Sequence, residues 1–408
     1  MSESLFVILG GGMVAGYAAK QLVELGLKPG ELTILSVDNS VPYERPPLSK
    51  GFLAGKDSEE SIRINSTDFY RKHGIEVKLN CEISGVDPRR KRLVLKAGGE
   101  FGYSKLIVAT GASPRTLEIP GAKLQSLYYL RSLDSSKAIR SAAEKSKRAV
   151  VIGGGFIGME VAAVLAQKNI QVTMVLAEDR LGKRLFSPEM SAFFESYYAT
   201  RDVQLIKAAT AIELRGDGTV GGVVVSNGQS VPCDLVVAGI GVRPNTSILA
   251  NSGIEVADGV MVNEFLEASQ PDIFAAGDVA NYQDVLFAKR RRVEHWDNAV
   301  VQGQYCARAL LGERIPFKHV PYFFSDIFDL SYEYWGDSSG ADQVVHRGDF
   351  SSKSFSVWWL SKKQVVAAFV MARPDEERDA APKWIEARQT VSAAKLENAA
   401  SPLSSSLE

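Results

Sequence analysis

The chain has 408 residues, with 47 lysines and arginines against 48 aspartates and glutamates and a formal net charge of −1. This length exceeds a single hydrophobic core and predicts two or three domains, while the near-neutral charge excludes a strongly basic nucleic-acid binder by bulk electrostatics. A 45% hydrophobic content with no apolar run of about 18 residues argues against both a membrane span and disorder.

The N-terminus passes from Met1-Ser2-Glu3-Ser4 straight into the apolar run Leu5 to Leu9. A secretory leader would need a basic flank and a small-residue cleavage site, so the expected location is cytoplasmic. The run Leu5-Phe6-Val7-Ile8-Leu9 reads as a strand, the glycines from Gly10 to Gly16 as a turn into an amphipathic helix reaching Leu25, and Leu32 to Val37 as the next strand. About 140 residues later the pattern repeats. Ala149 to Ile152 is a strand, Gly153 to Gly158 a turn, a helix follows to about Gln167, and Val172 to Leu176 is the second strand.

A β-rich stretch between the repeats ends in Leu106-Ile107-Val108-Ala109-Thr110-Gly111, and a second one ends near Val236-Val237-Ala238-Gly239. Beyond Leu311 the runs Phe355 to Leu360 and Val365 to Val370, around Ser361-Lys362-Lys363-Gln364, predict a hairpin in a third, α+β domain. The last twenty or so residues, rich in Ala and Ser, read as a mobile tail. The expected fold class is therefore α/β, with two Rossmann-like dinucleotide-binding domains and a C-terminal α+β domain.

The glycine turns have a chemical reason. A pyrophosphate must sit against backbone N–H groups at a helix N-terminus, and that requires a turn without obstructing side chains. Gly10 and Gly12 take the first two positions of the first turn and Ala15 the third, where a small residue lets helix and strand approach. Asp38, at the end of the following strand, is placed to accept hydrogen bonds from a ribose. The second turn supplies Gly153, Gly155 and Gly158, with Glu178 just past its next strand. An acid there favours the free 2′-hydroxyl of NAD(H) over a 2′-phosphate, although Arg180, Lys183 and Arg184 follow closely and weaken the inference. Cys81, Cys233 and Cys306 form no paired or His-linked motif, so neither a disulfide framework nor a metal site is expected.

Four further motifs carry a resemblance: Pro42-Tyr43-Glu44-Arg45-Pro46-Pro47-Leu48-Ser49-Lys50, Ala109-Thr110-Gly111, Gly239-Ile240-Gly241-Val242-Arg243-Pro244-Asn245, and Ile273-Phe274-Ala275-Ala276-Gly277-Asp278. In this order, over Leu5 to Met371, the chain resembles the FAD-dependent pyridine-nucleotide reductases. That family includes oxygenase-type ferredoxin reductases, monodehydroascorbate reductase and apoptosis-inducing factor. The resemblance implies the glutathione-reductase-like plan: an FAD domain from 1–112 and 244–312, an NAD(H) domain at 113–243, a C-terminal interface domain at 313–385 and the tail at 386–408.

It further implies FAD contacts from Gly10, Gly12, Met13, Val14, Ala15, Asp38, Arg45, Lys50, Ile83, Ala109, Thr110, Gly111, Arg131, Asp278, Trp296 and Phe324. For NAD(H) it implies Gly153, Gly155, Phe156, Ile157, Gly158, Glu160, Glu178, Arg184, Gly241, Glu294 and His295. Lys50 and Glu160 resemble the family's catalytic pair, a lysine that stabilises negative charge on the flavin and an acid that holds it. Trp296 either covers the flavin or serves as an ordinary core residue. His295 is expected to position rather than to exchange protons, because hydride transfer needs no general base on the pyridine nucleotide.

Disulfide reductases on this plan keep a cysteine pair where this chain has Pro46-Pro47-Leu48-Ser49-Lys50, so electrons must leave the flavin directly. Ferredoxin–NAD+ reductase activity, with electrons passing through FAD to a [2Fe-2S] ferredoxin, is the first functional reading, and monodehydroascorbate reductase is the alternative. Against the alternative, the arginine and tyrosine that the plant family keeps for the acidic radical align with Val300 and Phe324. A third reading resembles apoptosis-inducing factor, through the run Glu294 to Val301, and near-zero net charge disfavours it. The basic run Lys289-Arg290-Arg291-Arg292 is a candidate docking patch for an acidic carrier. The oligomeric expectation is a monomer or weak homodimer.

Overall fold

The computed structural model describes residues 2–408 and divides into two compact units. The first comprises the chain up to Glu44, Glu59–Ser113 and Arg243–Tyr322; the second comprises Arg45–Ser58, Pro114–Val242 and Phe323–Glu408.

Both units are organised by the repeat seen in the sequence. In the first unit it is β1 (Ser2–Leu9), α1 (Met13–Glu24) and β2 (Leu32–Leu35); in the second it is β3 (Arg148–Ile152), α2 (Phe156–Gln167) and β4 (Gln171–Val175). A long helix, α3 (Trp296–Leu310), closes the first unit.

In the first unit the parallel order runs Glu76–Lys78, β2, β1, Glu100–Val108 and then Ile273–Ala275. The long strand Glu100–Val108 also takes Arg92–Leu95 antiparallel along its early residues. Central parallel strands are covered on both faces, which is why Phe6-Val7-Ile8-Leu9 and Leu106-Ile107-Val108 are unbroken apolar runs, all buried. The register sets Leu9 opposite both Leu35 and Val108, so the three strand ends lie level. Strand order reverses between β1 and Glu100–Val108, and the crevice at such a reversal is where open α/β sheets bind ligands.

The second unit repeats the arrangement in the order Gln204–Ile206, β4, β3, Leu235–Ala238 and Leu127–Tyr128, with Val151 opposite both Met174 and Val237. Its other layer is an antiparallel sheet ordered Tyr322–Ile327, Leu330–Gly336, Gln364–Met371, Ser354–Ser361, Gln343–Asp349. The hairpin turns at Lys362 and Lys363, both at positive φ (50° and 66°), as a two-residue turn matching strand twist requires. This sheet is the β layer of the expected C-terminal α+β domain, and it packs on the second dinucleotide fold. Phe186 and Phe194 stack at 4.6 Å and share one core with Tyr332 and Phe369, so the C-terminal segment clusters with the second fold.

Two boundary expectations need correction. Arg45–Ser58 belongs to the second unit, because Leu53 enters that unit's core and Ser136 Oγ donates to the Leu48 carbonyl at 2.8 Å. The segment 386–408 is not a mobile tail: Val391, Leu396 and Leu403 are buried, and the buried Arg347 donates to the carbonyls of Leu396 (3.0 Å), Asn398 (2.6 Å) and Ser401 (2.7 Å). Among the described residues no helix is long and apolar enough to cross a membrane.

Candidate functional site

The two glycine turns are built alike. Gly10 has φ +126°, and a Cβ there would stand 2.1 Å from the Ala109 carbonyl oxygen; Gly153 has φ +114°, and its Cβ would stand 2.2 Å from that of Gly239. Only glycine lets the end of the first strand lie this close to the end of its neighbour at the order reversal. A Cβ on Gly158 would meet the Gly153 oxygen at 2.2 Å, whereas Ala15, the corresponding residue of the first turn, is accommodated with no exposure.

Gly12 and Gly155 differ from these. No heavy atom lies within 4 Å of a Cβ built on either, and neither helix they cap has a side-chain N-cap hydrogen bond. The first-turn N–H groups of α1 and α2 therefore face open space and lack side-chain acceptors, a cradle suited to a pyrophosphate. These positions fit a dinucleotide in each unit. Met13, Val14 and Ala15 bury their side chains in the core, leaving their backbone at the turn. Phe156 packs on Phe323 at 4.4 Å, while Ile157 is exposed at the mouth of the second turn.

The two acids after the second strands also correspond. The Asp38 carbonyl accepts from Asn80 N–H at 3.0 Å and that of Glu178 from Ala208 N–H at 2.8 Å. Asp38 Oδ2 accepts from Tyr43 Oη at 2.8 Å and Oδ1 from the Asn39 N–H at 2.8 Å. The half-buried Glu178 carboxylate has no hydrogen-bond or ion-pair partner among the described residues. Of the nearby cations, Arg180 is consumed by the Phe186 carbonyl and Ser191 Oγ (2.8 Å), and Lys183 pairs with Asp179 at 3.1 Å. Arg184 is exposed.

Lys50 and Glu160 come together in the second unit. Lys50 follows the short helical turn Pro46–Ser49, and Glu160 lies in the second turn of α2 at 3% exposure. Their Nζ and Oε1 are 2.7 Å apart, and the Lys50 ammonium lies 5.4 Å from the centroid of the Phe324 ring. Sequence reasoning missed two further members. Ser49 Oγ donates to Glu160 Oε2, and Ser325 Oγ donates to Oε1 at 2.6 Å. Ser49 stands inside a recognisable motif, whereas no signal marks Ser325, a serine in a distant strand. Arg45 donates to the carbonyl of Arg131 in the same unit, and Gly241 there has φ +98°.

In the first unit Thr110 and Asn245 are cross-linked, Thr110 Oγ1 donating to the Asn245 carbonyl at 2.7 Å and Asn245 Nδ2 to that of Thr110 at 2.9 Å. This fixes the strand end Ala109-Thr110-Gly111. Ile83 begins a strand with its side chain in the core. The loop carrying Asp278 is held by α3, whose buried Gln302 accepts from the Gly277 N–H at 2.7 Å. Trp296 opens α3 and donates its Nε1 to Glu44 Oε2 at 2.6 Å, while Tyr17 Oη donates to the other oxygen. Glu294 is engaged by Arg292. Burial pushes the His295 imidazole down to about 4, so it is neutral at pH 7.

The basic run expected as a candidate docking patch is partly engaged within the fold, with Arg290 exposed and Lys289, Arg291 and Arg292 half-buried. Arg290 donates to the carbonyls of Val262 (2.8 Å) and Asn281 (2.6 Å), and Arg291 pairs with the buried Asp284. The Arg292 side chain, 10% exposed, pairs with Glu294 and Asp258 and donates to the Asp278 carbonyl. Strand pairing in this segment brings backbone acceptors and acids to the arginines from distant sequence. Burial pushes the Cys233 thiol up to about 12 and raises that of Cys306, and the partly buried Cys81 is raised as well.

Comparison with known proteins places this arrangement. Residues 5–303 match the family described as pyridine nucleotide-disulphide oxidoreductase, and residues 322–407 match the reductase C-terminal family. Peroxisomal monodehydroascorbate reductase 4 of Arabidopsis thaliana is 36% identical over 410 residues, covering 95% of this chain and 83% of that protein. Monodehydroascorbate reductase of Pisum sativum is 34% identical, covering 95% of each. Among solved structures, putidaredoxin reductase in its covalent complex with putidaredoxin has a TM-score of 0.94 at 30% identity, covering 99% of this chain and 98% of that one. The ferredoxin reductase of the CYP199A2 system from Rhodopseudomonas palustris has a TM-score of 0.94 at 32% identity, covering 99% and 100%.

Proposed function

We propose that this chain, which belongs to the pyridine nucleotide-disulphide oxidoreductase family and is an FAD- and NAD(H)-dependent oxidoreductase, passes electrons from NADH to a [2Fe-2S] ferredoxin. The observation that carries the reading is the ion pair between the mostly buried Lys50 and the buried Glu160, with no cysteine in the segment Pro46-Pro47-Leu48-Ser49-Lys50. When bound, FAD accepts a hydride from the nicotinamide and can release its electrons singly. Lys50 would supply a positive charge for the negative charge that hydride transfer delivers, and Glu160 would hold that ammonium in place.

The first unit holds FAD through the α1 turn at Gly10 and Gly12, with Asp38 and Asp278 as polar contacts. The second holds NADH through the α2 turn at Gly153 and Gly155. Glu178 selects the cofactor: its unpartnered carboxylate accepts from a ribose hydroxyl and repels a 2′-phosphate. With Arg180 and Lys183 already engaged, only Arg184 among the neighbouring cations is left to offset that repulsion.

The acceptor reading rests on the ferredoxin-reductase structures, which match this chain from end to end, and on Val300. That side chain is buried in the apolar core of α3, so it offers no cation to an anionic sugar radical. Monodehydroascorbate reductase remains the second reading, favoured by 36% identity over nearly the full chain. One panel decides between them: NADH oxidation by the purified protein with [2Fe-2S] ferredoxins, ascorbate plus ascorbate oxidase, ferricyanide and quinones. Efficient ferredoxin reduction with no response to the ascorbate radical is the expected outcome, and the reverse pattern overturns the first reading.

A further inference from the structure

Glu160 is a buried carboxylate whose oxygens are all engaged. Oε1 takes the Lys50 ammonium at 2.7 Å and the Ser325 hydroxyl at 2.6 Å, and Oε2 takes Ser49. Ser325 is fully buried, and it reaches the site from a strand 165 residues farther along the chain.

A buried ion pair is stable only when its remaining acceptor positions are filled, and charge-assisted hydrogen bonds to the carboxylate do that here. The pair's geometry depends on the same bonds. The helix is pinned one residue earlier, where Tyr198 Oη donates to the Met159 carbonyl at 2.7 Å, so the freedom left to Glu160 is rotation of its side chain. Two hydroxyls on opposite oxygens remove that rotation. Lysine has a flexible four-carbon stem and no preferred acceptor geometry of its own, so its position follows that of the carboxylate. Phe324, the neighbour of Ser325 on the same strand, bounds the ammonium with its ring.

We propose that Ser325 is a positioning residue for Lys50, acting through the Glu160 carboxylate. The inference rests on the functional reading above and deepens it. Loss of the Ser325 hydroxyl removes one donor from Glu160, loosens the carboxylate, and lets the ammonium move off its fixed position. Under the functional reading above, Lys50 would then offer less stabilisation to the negative charge that hydride transfer delivers, and the transfer would slow.

The test uses the flavin-loaded protein and three variants. Ser325→Thr and Ser325→Val have nearly the same volume and differ in the hydroxyl, while Ser325→Ala removes it without added bulk. Flavin content, melting temperature, midpoint potential and the single-turnover rate of flavin reduction by NADH are measured for each. Val and Ala are expected to slow single-turnover reduction about tenfold at unchanged NADH affinity and to make the midpoint potential more negative, with Thr close to the parent. If all three variants match the parent in rate and potential, Ser325 has no positioning role. If Val and Thr fall together while Ala stays at parent values, bulk rather than the hydroxyl is responsible, and the proposal fails. A parent protein that binds no flavin at all overturns the functional reading itself, a result distinct from either.

Discussion

Arg292 and Asp278 are joined through the backbone: the guanidinium of the first donates to the carbonyl oxygen of the second at 3.1 Å. With its ion pairs to Glu294 and Asp258, this makes Arg292 a brace for the loop that carries Asp278. Arg292→Gln is therefore expected to lower stability by about 2 kcal/mol, the scale of a charge-assisted hydrogen bond lost at a mostly buried site. Thermal melting in parallel with ferredoxin reduction checks this. An unchanged melting temperature with a flattened ionic-strength dependence of ferredoxin reduction would instead assign Arg292 a docking role.

Glu178→Ala should raise KM for NADH and improve the relative use of NADPH, with a shift of about 1–3 kcal/mol in the ratio of the two specificities. Arg184→Ala in the same background should reverse part of the NADPH gain, since Arg184 is the uncommitted cation near the turn. Specificity constants for both nucleotides decide it, and an unaltered NADH/NADPH ratio in Glu178→Ala would assign the choice to another residue.

His295 provides a pH prediction. Its imidazole is held down to about 4 by burial, against 6.5 for the exposed group, so the unfolded chain binds the proton more readily between those values. This contribution to stability is fully present above the unfolded value and is lost as pH falls from about 6.5 to about 4, amounting to at most about 3 kcal/mol. Denaturant unfolding of the parent and His295→Gln at pH 7 and pH 5 tests it. The variant should show the shallower loss of stability on acidification, and equal losses would mean that His295 is protonated without cost.

The C-terminal segment yields the next test. Deleting residues 389–408 removes the buried side chains of Val391, Leu396 and Leu403 and leaves Arg347 without its three carbonyl acceptors. At about 1.5–3 kcal/mol for each buried aliphatic side chain, the loss is on the order of 5 kcal/mol, and the melting temperature should fall by many degrees. A truncated protein melting with the parent would mean that these contacts hold nothing together.

What the sequence discloses depends on how local the physics is. The glycine turns are legible because a carbonyl about 2 Å from any Cβ, or a φ above +100°, excludes other residue types and leaves a mark at fixed spacing. Lys50 is legible through the motif around it. Ser325 is not, because serine is common in strands and its partner lies on a distant helix. The partners of the arginine run are hidden for a related reason: charge is visible in sequence, but the carbonyls of Val262 and Asn281 that accept from the exposed Arg290 are supplied by tertiary pairing. The Ala- and Ser-rich terminus is misread because three apolar residues among many small ones are enough to anchor it when a buried arginine binds the backbone between them.

The two glycine turns make a final contrast. Gly10 is required by the fold, with φ +126° and the Ala109 oxygen 2.1 Å from any Cβ, so Gly10→Ala should cost about 1–3 kcal/mol in strain alone and destabilise the protein with or without cofactor. Gly12 (φ −86°, ψ −160°) and Gly155 (φ −81°, ψ 178°) have backbone angles open to any residue and empty space in front of them. Gly12→Val and Gly155→Val should therefore leave the melting temperature of the flavin-free protein within about 1 kcal/mol of the parent in equivalent stability, the scale of an N-cap change. Their binding defects should separate. Gly12→Val places a branched side chain where the pyrophosphate of FAD would lie, and the protein should purify with little flavin. Gly155→Val should purify yellow, release FAD rather than FMN on denaturation, and show a raised KM for NADH. Flavin content and NADH titration of the two variants read this directly: full flavin in Gly12→Val, or loss of flavin in Gly155→Val, would show that the two turns do not hold the two nucleotides assigned to them.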